Sequence, residues 1–131
     1  MSGGPRVGVA RSAVGAAHGR GSTRAGSHHW WAQRLTALCL VPLSLWFIYS
    51  VIRLSGASHQ AVINWMSSTA SLTLMLVLIV TTFHHLQLGM QMVIEDYVRG
   101  DLARWGIVLA VRAASALLAT ACIVSVLKIG L

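Results

Sequence analysis

The amino-acid sequence predicts an all-α integral membrane protein with three transmembrane helices. Hydrophobic residues make up 56% of its 131 residues and charged residues only 10%, whereas a soluble domain carries about 25% charged residues. The stretches 35–52 and 54–94 contain no Asp, Glu, Lys or Arg. A chain with so few charges cannot cover a water-facing surface, and this excludes a soluble globular domain.

The first 29 residues differ in composition from the remainder of the chain. They are rich in Gly, Ser, Ala and Arg and contain no Leu, Ile, Phe or acidic residue. Such a segment buries too little apolar surface to offset the entropy of ordering it. We therefore predict a flexible basic tail over residues 1–29 and a membrane domain over residues 30–131. A basic tail beside a membrane span indicates contact with anionic lipid or a role in topology, and we expect no nucleic-acid binding.

Three apolar segments are predicted to span the bilayer. The first, 35–52, measures about 27 Å as a helix, close to the roughly 30 Å of a hydrocarbon core. The second covers about 69–94 and the third about 105–127, and the short connection between them predicts an antiparallel hairpin. Cys39 and Cys122 lie in these spans without CxxC spacing, so we interpret them as small core residues rather than as zinc or disulfide cysteines.

The distribution of basic residues predicts the orientation of the chain in the membrane. With a cytoplasmic N-terminus, the inner segments carry seven basic residues and the outer segments two. The inner residues are Arg6, Arg11, Arg20, Arg24, Arg34, Arg99 and Arg104, and the outer ones are Arg53 and Lys128. Because basic residues accumulate on the cytoplasmic side, we expect a multi-pass protein of the bacterial inner membrane, or of the mitochondrial inner membrane, with a periplasmic C-terminus in the bacterial case.

The second span carries polar side chains that hydrocarbon alone would not require. They are Thr81, Thr82, His84, His85, Gln87 and Gln91. Polar groups at this depth are costly and indicate a site or a partner helix. His85 lies about 15 Å before Glu95 along the helix and shares a face with Gly89. His85 is therefore either a haem ligand, with Gly89 leaving room for a macrocycle or a close helix, or a histidine in a hydrogen bond or proton path. His84 lies about 100° away, and we expect it to be a hydrogen-bonding residue.

The second span ends in Glu95-Asp96-Tyr97. A tyrosine hydroxyl at the bilayer edge can donate a hydrogen bond to a carbonyl oxygen, and a nearby carboxylate can orient it. This arrangement suits the ubiquinone head group, which has two carbonyls and travels in lipid. The alternative is an interfacial tyrosine anchor beside solvated acids. Arg112, roughly 10 Å into the third span, is expected to snorkel to the surface or to pair with a carboxylate such as Asp96 or Asp101, or with a haem propionate.

The sequence resembles the hydrophobic membrane anchor subunit of succinate dehydrogenase, the cytochrome b556 small subunit of respiratory complex II. The resemblance rests on the pattern His85-x3-Gly89-x6-Asp96-Tyr97 in the string HLQLGMQMVIEDYV, and on the stretch QRLTAL at residues 33–38. It covers about residues 30–131, including the order of the three spans. Residues 1–29 have no counterpart in it.

The resemblance implies that the chain is half of a heterodimeric haem-binding anchor bundle. A second membrane anchor (cytochrome b) subunit then supplies the other haem b ligand, and the iron–sulfur and flavoprotein subunits dock on the cytoplasmic or matrix side. His85 matches the axial ligand of the haem iron, and Tyr97 and Asp96 match residues of the ubiquinone site. Arg34 is a weaker match to a haem propionate contact. The chain would then be a non-catalytic subunit of an oxidoreductase, with no active site of its own.

Three other functions remain open at this point. A quinol:fumarate reductase anchor uses similar parts in the reverse direction. A structural membrane subunit without a cofactor would need His85 only for packing. A small multidrug-type transporter would need a carboxylate within the membrane, and the spans contain no Asp or Glu before Glu95, which counts against it.

Overall fold

The computed structural model describes residues 13–131, with side chains from Gly26 onward. This part of the chain is helical and contains no strand. Its four helices are α1 (Ala13–Leu54), α2 (His59–Met66), α3 (Thr69–Tyr97) and α4 (Asp101–Gly130). Three stretches are long and apolar enough to cross a membrane, namely Gly26–Leu54, Thr69–Tyr97 and Asp101–Gly130. The predicted all-α membrane fold is therefore confirmed.

The helices are longer than the apolar segments that predicted them. α3 ends at Tyr97 rather than near residue 94, and α4 begins at Asp101 rather than near residue 105. α1 extends on both sides of the predicted span 35–52. The difference has a physical reason, because hydropathy marks only the part of a helix suited to hydrocarbon. The helix itself continues until a cap or turn replaces its backbone hydrogen bonds.

The chain divides into two units at Trp31 and Ala32, and the site described below lies in the second unit, Ala32–Leu131. Of the predicted flexible tail, residues 1–12 lie outside the described residues. Residues 13–29 belong to α1. The flexibility of residues 1–29 stays a prediction.

α2 is a short helix that the sequence analysis did not predict. The hydroxyl of its N-cap, Ser58, accepts a hydrogen bond from the Ala61 N–H at 3.3 Å. Ser68 caps α3 in the same way, by accepting from the Ser71 N–H at 3.3 Å. Serine is a preferred N-cap because its side chain satisfies a free backbone donor. The two serines, ten residues apart, are the sequence signal that could have revealed α2.

α3 and α4 form the predicted antiparallel hairpin, and α2 packs against both. α1 contacts α3 through the side chains of Thr36 and His85. The loop between α3 and α4 turns at Gly100, whose φ of +108° favours glycine. The buried apolar side chains are Met75, Leu88, Ile94 and Val108. Many larger apolar side chains are exposed in the isolated chain. Such exposure is compatible with contact to lipid or to partner helices. Cys39 and Cys122 are among the exposed residues, so their interpretation as core residues of this chain is wrong.

Candidate functional site

His85 lies near the middle of α3 and is half-buried. Its ring nitrogen Nδ1 lies 2.9 Å from the hydroxyl oxygen Oγ1 of Thr36 on α1. Its other ring nitrogen, Nε2, has no hydrogen-bond partner among the described residues. His85 was predicted as a candidate from its place in the span, whereas Thr36 was not, because a contact between residues 49 positions apart leaves no periodic signal. Thr36 lies in the stretch QRLTAL, residues 33–38, which carries part of the family resemblance. This stretch is the sequence signal that could have revealed it.

Gly89 lies one turn beyond His85 and also faces α1. A Cβ atom at this position would lie 3.4 Å from Nε2 of Gln33. Of the two expectations for Gly89, the close helix is therefore the one that this chain fulfils. Within the described residues, Oε1 of Gln33 is buried and has no hydrogen-bond partner. A buried acceptor without a donor costs about 1–3 kcal/mol. The described residues supply no donor for this amide oxygen at the contact between α1 and α3.

His85 is of a residue type that haem iron accepts as a ligand. In the part of the chain that the structure describes, no group of three His, Cys, Asp or Glu residues could hold a metal ion. A haem would need no such group, because the macrocycle itself supplies most of the ligands of the iron. His85 would supply one protein ligand near the middle of the membrane span Thr69–Tyr97. His84 is exposed and makes no hydrogen bond within residues 26–131, so the hydrogen-bonding role expected of it is not met inside this chain.

The end of α3 and the beginning of α4 enclose a polar cleft of about 350 Å³. It is lined by Gln91, Glu95, Arg104, Trp105, Val108 and Arg112. The amide of Gln91 connects two charged groups in this cleft. Its Nε2 donates to Oε1 of Glu95 at 2.8 Å, and its Oε1 accepts from Nη2 of Arg112 at 3.0 Å.

Arg112 has a different partner from those expected. Asp101 forms an ion pair with Arg104, one turn along α4. Asp96 makes no ion pair among the described residues. The guanidinium of Arg112 instead donates a hydrogen bond to Gln91, because this glutamine lies within reach on the facing helix α3. The expected structural pair with a carboxylate exists only indirectly, through Gln91 to Glu95.

Asp96 and Tyr97 are exposed at the end of α3, and 82% of Tyr97 is accessible. Neither side chain makes a hydrogen bond within the described residues, so the structure does not join them to each other. Tyr97 lies twelve residues beyond His85, about 18 Å along the helix. Arg34 is exposed on α1, roughly 200° around the helix from Thr36. The chain therefore presents His85, Tyr97 and Arg34 separately rather than in one pocket.

Comparison with known proteins gives a consistent set of relatives. The family of succinate dehydrogenase/fumarate reductase transmembrane subunits matches residues 10–127. A succinate dehydrogenase hydrophobic membrane anchor subunit of Rickettsia bellii is 36% identical over 116 residues, which cover 88% of this chain and 93% of that protein. A membrane anchor subunit of Reclinomonas americana is 33% identical over 63% of this chain and 71% of its own length. A hydrophobic membrane anchor subunit of Paracoccus denitrificans is 26% identical over 73% of this chain and 74% of its own length. No solved structure matches the chain.

Proposed function

The chain belongs to the family of succinate dehydrogenase/fumarate reductase transmembrane subunits, and from this premise we propose that it is the membrane anchor of a succinate:ubiquinone oxidoreductase. In this role it binds haem b together with a second membrane anchor (cytochrome b) subunit. It also contributes to the ubiquinone site and docks the iron–sulfur and flavoprotein subunits to the membrane.

The observation that carries the proposal is His85, a single half-buried imidazole in the middle of a membrane span. Nδ1 is hydrogen-bonded inside the chain and Nε2 has no partner in the described residues. A neutral imidazole with one free nitrogen is a suitable axial ligand for haem iron. When bound there, haem b supplies reversible one-electron chemistry in the membrane. Arg34 would lie on the cytoplasmic side of the haem and balance the charge of a propionate.

Tyr97 and Asp96 are the proposed contacts for the ubiquinone head group. The accessible Tyr97 hydroxyl donates a hydrogen bond to one quinone carbonyl, and Asp96 beside it orients that hydroxyl. Reduction of ubiquinone to ubiquinol consumes two electrons, which come from the iron–sulfur subunit, and two protons. A position at the membrane edge lets those protons enter from water. The exposure of both side chains in the chain alone supports a site that other subunits complete.

The proposed orientation places this end of α3 on the cytoplasmic side. The positive-inside rule supports it, since Arg99 lies in the connection between α3 and α4 and Arg104 lies in the first turn of α4. The same side carries large exposed apolar side chains, including Leu102 and Trp105. Exposed apolar groups at a membrane edge suit contact with lipid and with docked subunits.

The test is the dithionite-reduced minus oxidised spectrum of membranes that contain the assembled complex. Wild type is compared with His85→Ala, and His84→Ala is the matched control because His84 makes no hydrogen bond within residues 26–131. We expect a b-type band in wild type and in His84→Ala, and its loss or shift in His85→Ala. An unchanged band in His85→Ala, or the absence of any b-type band in wild type, would contradict the haem assignment.

A further inference from the structure

The hydroxyl of Thr36 is surrounded by three hydrogen-bonding groups. Its Oγ1 lies 2.8 Å from the carbonyl oxygen of Ala32 and 3.1 Å from that of Gln33, both in the preceding turn of α1. It also lies 2.9 Å from Nδ1 of His85 on α3. A threonine hydroxyl has one hydrogen to donate and two lone pairs to accept with. The two carbonyl oxygens can only accept. The hydrogen-bonding pattern therefore depends on which atom receives the hydroxyl hydrogen and on whether Nδ1 of His85 donates or accepts.

The Thr36 hydroxyl donates its hydrogen to the carbonyl oxygen of Ala32. Serine and threonine inside helices commonly donate to the carbonyl four residues earlier. Other hydroxyls of this chain make the same bond at 2.6–2.9 Å. Examples are Ser44, Ser50, Thr120 and Ser125. The distance at Thr36 equals that at Thr120, which has no histidine partner. The bond within α1 is therefore intact, and Oγ1 meets His85 with a lone pair.

From this arrangement we propose that Thr36 is a positioning residue for His85. Since Oγ1 offers a lone pair, Nδ1 must carry the imidazole hydrogen and donate it to Thr36. The neutral ring then has its free lone pair on Nε2. Thr36 thus fixes the tautomer and the ring orientation that present Nε2 as a ligand. The inference rests on the proposed function, because it takes the haem iron as the acceptor of that lone pair.

The hydrogen bond also affects the electronic properties of the ligand. When the second ring nitrogen of a metal-bound histidine donates a hydrogen bond, the ring becomes a stronger electron donor and is held in one orientation. A stronger donor stabilises ferric over ferrous iron and lowers the midpoint potential. Loss of the Thr36 hydroxyl should therefore raise the potential of the haem, while the haem remains bound through His85.

The experiment compares assembled complexes carrying Thr36→Val, Thr36→Ser and Thr120→Val. Valine has the shape of threonine without the hydroxyl, serine restores the hydroxyl, and Thr120→Val removes a hydroxyl that bonds only its own helix. The measurements are a redox titration of the b-type band and the low-temperature EPR signal of the ferric haem. We expect Thr36→Val to raise the midpoint potential and shift the EPR signal. Thr36→Ser and Thr120→Val should both match wild type.

Each other outcome has a defined meaning. A wild-type potential and EPR signal in Thr36→Val would overturn the proposal. Loss of haem in Thr36→Val with retention in Thr36→Ser and Thr120→Val would support it, because both variants that retain haem keep a hydroxyl at position 36. Loss in Thr36→Ser as well would overturn it, since the hydroxyl is still present. His85→Ala in the same series tests the proposed function separately, because an unchanged band there rejects His85 as the ligand whatever Thr36 does.

Discussion

The two ends of the α3–α4 hairpin differ in how far this chain completes them. At one end, which we call the closed end, the start of α3 and the last turn of α4 meet α2. Gly130 is buried there, and a Cβ atom on it would lie 2.8 Å from Cδ1 of Leu72 and 3.2 Å from the carbonyl oxygen of Met66. The Ser68 hydroxyl lies 2.8 Å from that of Ser71, which is itself buried. The closed end is packed by residues of this chain.

The other end, which we call the open end, comprises the end of α3 and the start of α4, residues 95–105. Several of its large side chains are exposed, with Tyr97 82%, Leu102 92% and Trp105 70% accessible. Beside them lies the polar cleft bridged by Gln91. One end is therefore stabilised by contacts within this chain, whereas the other leaves large side chains accessible to other molecules. Both proposed ubiquinone contacts lie at the open end.

The largest effect is expected from a change that breaks the closed end. Gly130→Val introduces atoms where backbone and side chain already leave no room, and overpacking of this kind costs about 1–3 kcal/mol. Gly106→Val is the matched control, because a Cβ at Gly106 meets nothing within 4 Å in the chain. The measurement is the thermal unfolding midpoint of the detergent-solubilised complex. An equal fall of the unfolding midpoint in both variants would contradict this prediction, because Gly106 would then be as closely packed as Gly130.

The second prediction concerns activity at the open end. Tyr97→Phe removes only a hydroxyl that makes no hydrogen bond in the described residues, so the thermal midpoint should not change. Loss of the hydrogen bond to ubiquinone should lower succinate–ubiquinone reductase activity about tenfold, which corresponds to about 1.4 kcal/mol. Tyr49→Phe is the control, since the Tyr49 hydroxyl accepts a hydrogen bond from Arg53 far from this end. Equal activity of the two variants would reject Tyr97 as a quinone contact.

The smallest effect is expected at the bridge in the polar cleft. Gln91→Leu removes the hydrogen bonds to both Glu95 and Arg112. Hydrogen bonds to charged groups contribute more than neutral ones, but exposure reduces their value, so we expect a loss of about 1 kcal/mol. Gln87→Leu is the matched control, because Gln87 makes only a 3.5 Å contact with the Arg112 carbonyl. Unfolding midpoints compare the two variants, and no difference between them would show that the bridge does not stabilise the open end.

The sequence predicted more of the fold than of the site. The span of α3 was found because apolar runs and absent charges report directly on hydrocarbon. α2 was missed because eight residues give little periodic signal, and the lengths of α3 and α4 were underestimated because helices continue past the hydrocarbon. At the site, helical spacing correctly placed His85 and Gly89 on one face. It could not find Thr36, since that contact joins two helices distant in sequence.

Composition and the charge pattern alone determined that this chain is an all-α membrane protein, and the pattern from His85 to Tyr97 identified its family. These properties are local, because hydropathy and helical spacing need only neighbouring residues. The tertiary structure decided which groups meet across helices, including Thr36 with His85 and Arg112 with Gln91. It also decided that one end of the hairpin is closed and the other open. Such contacts depend on the relative rotation and distance of packed helices, which no single helix encodes.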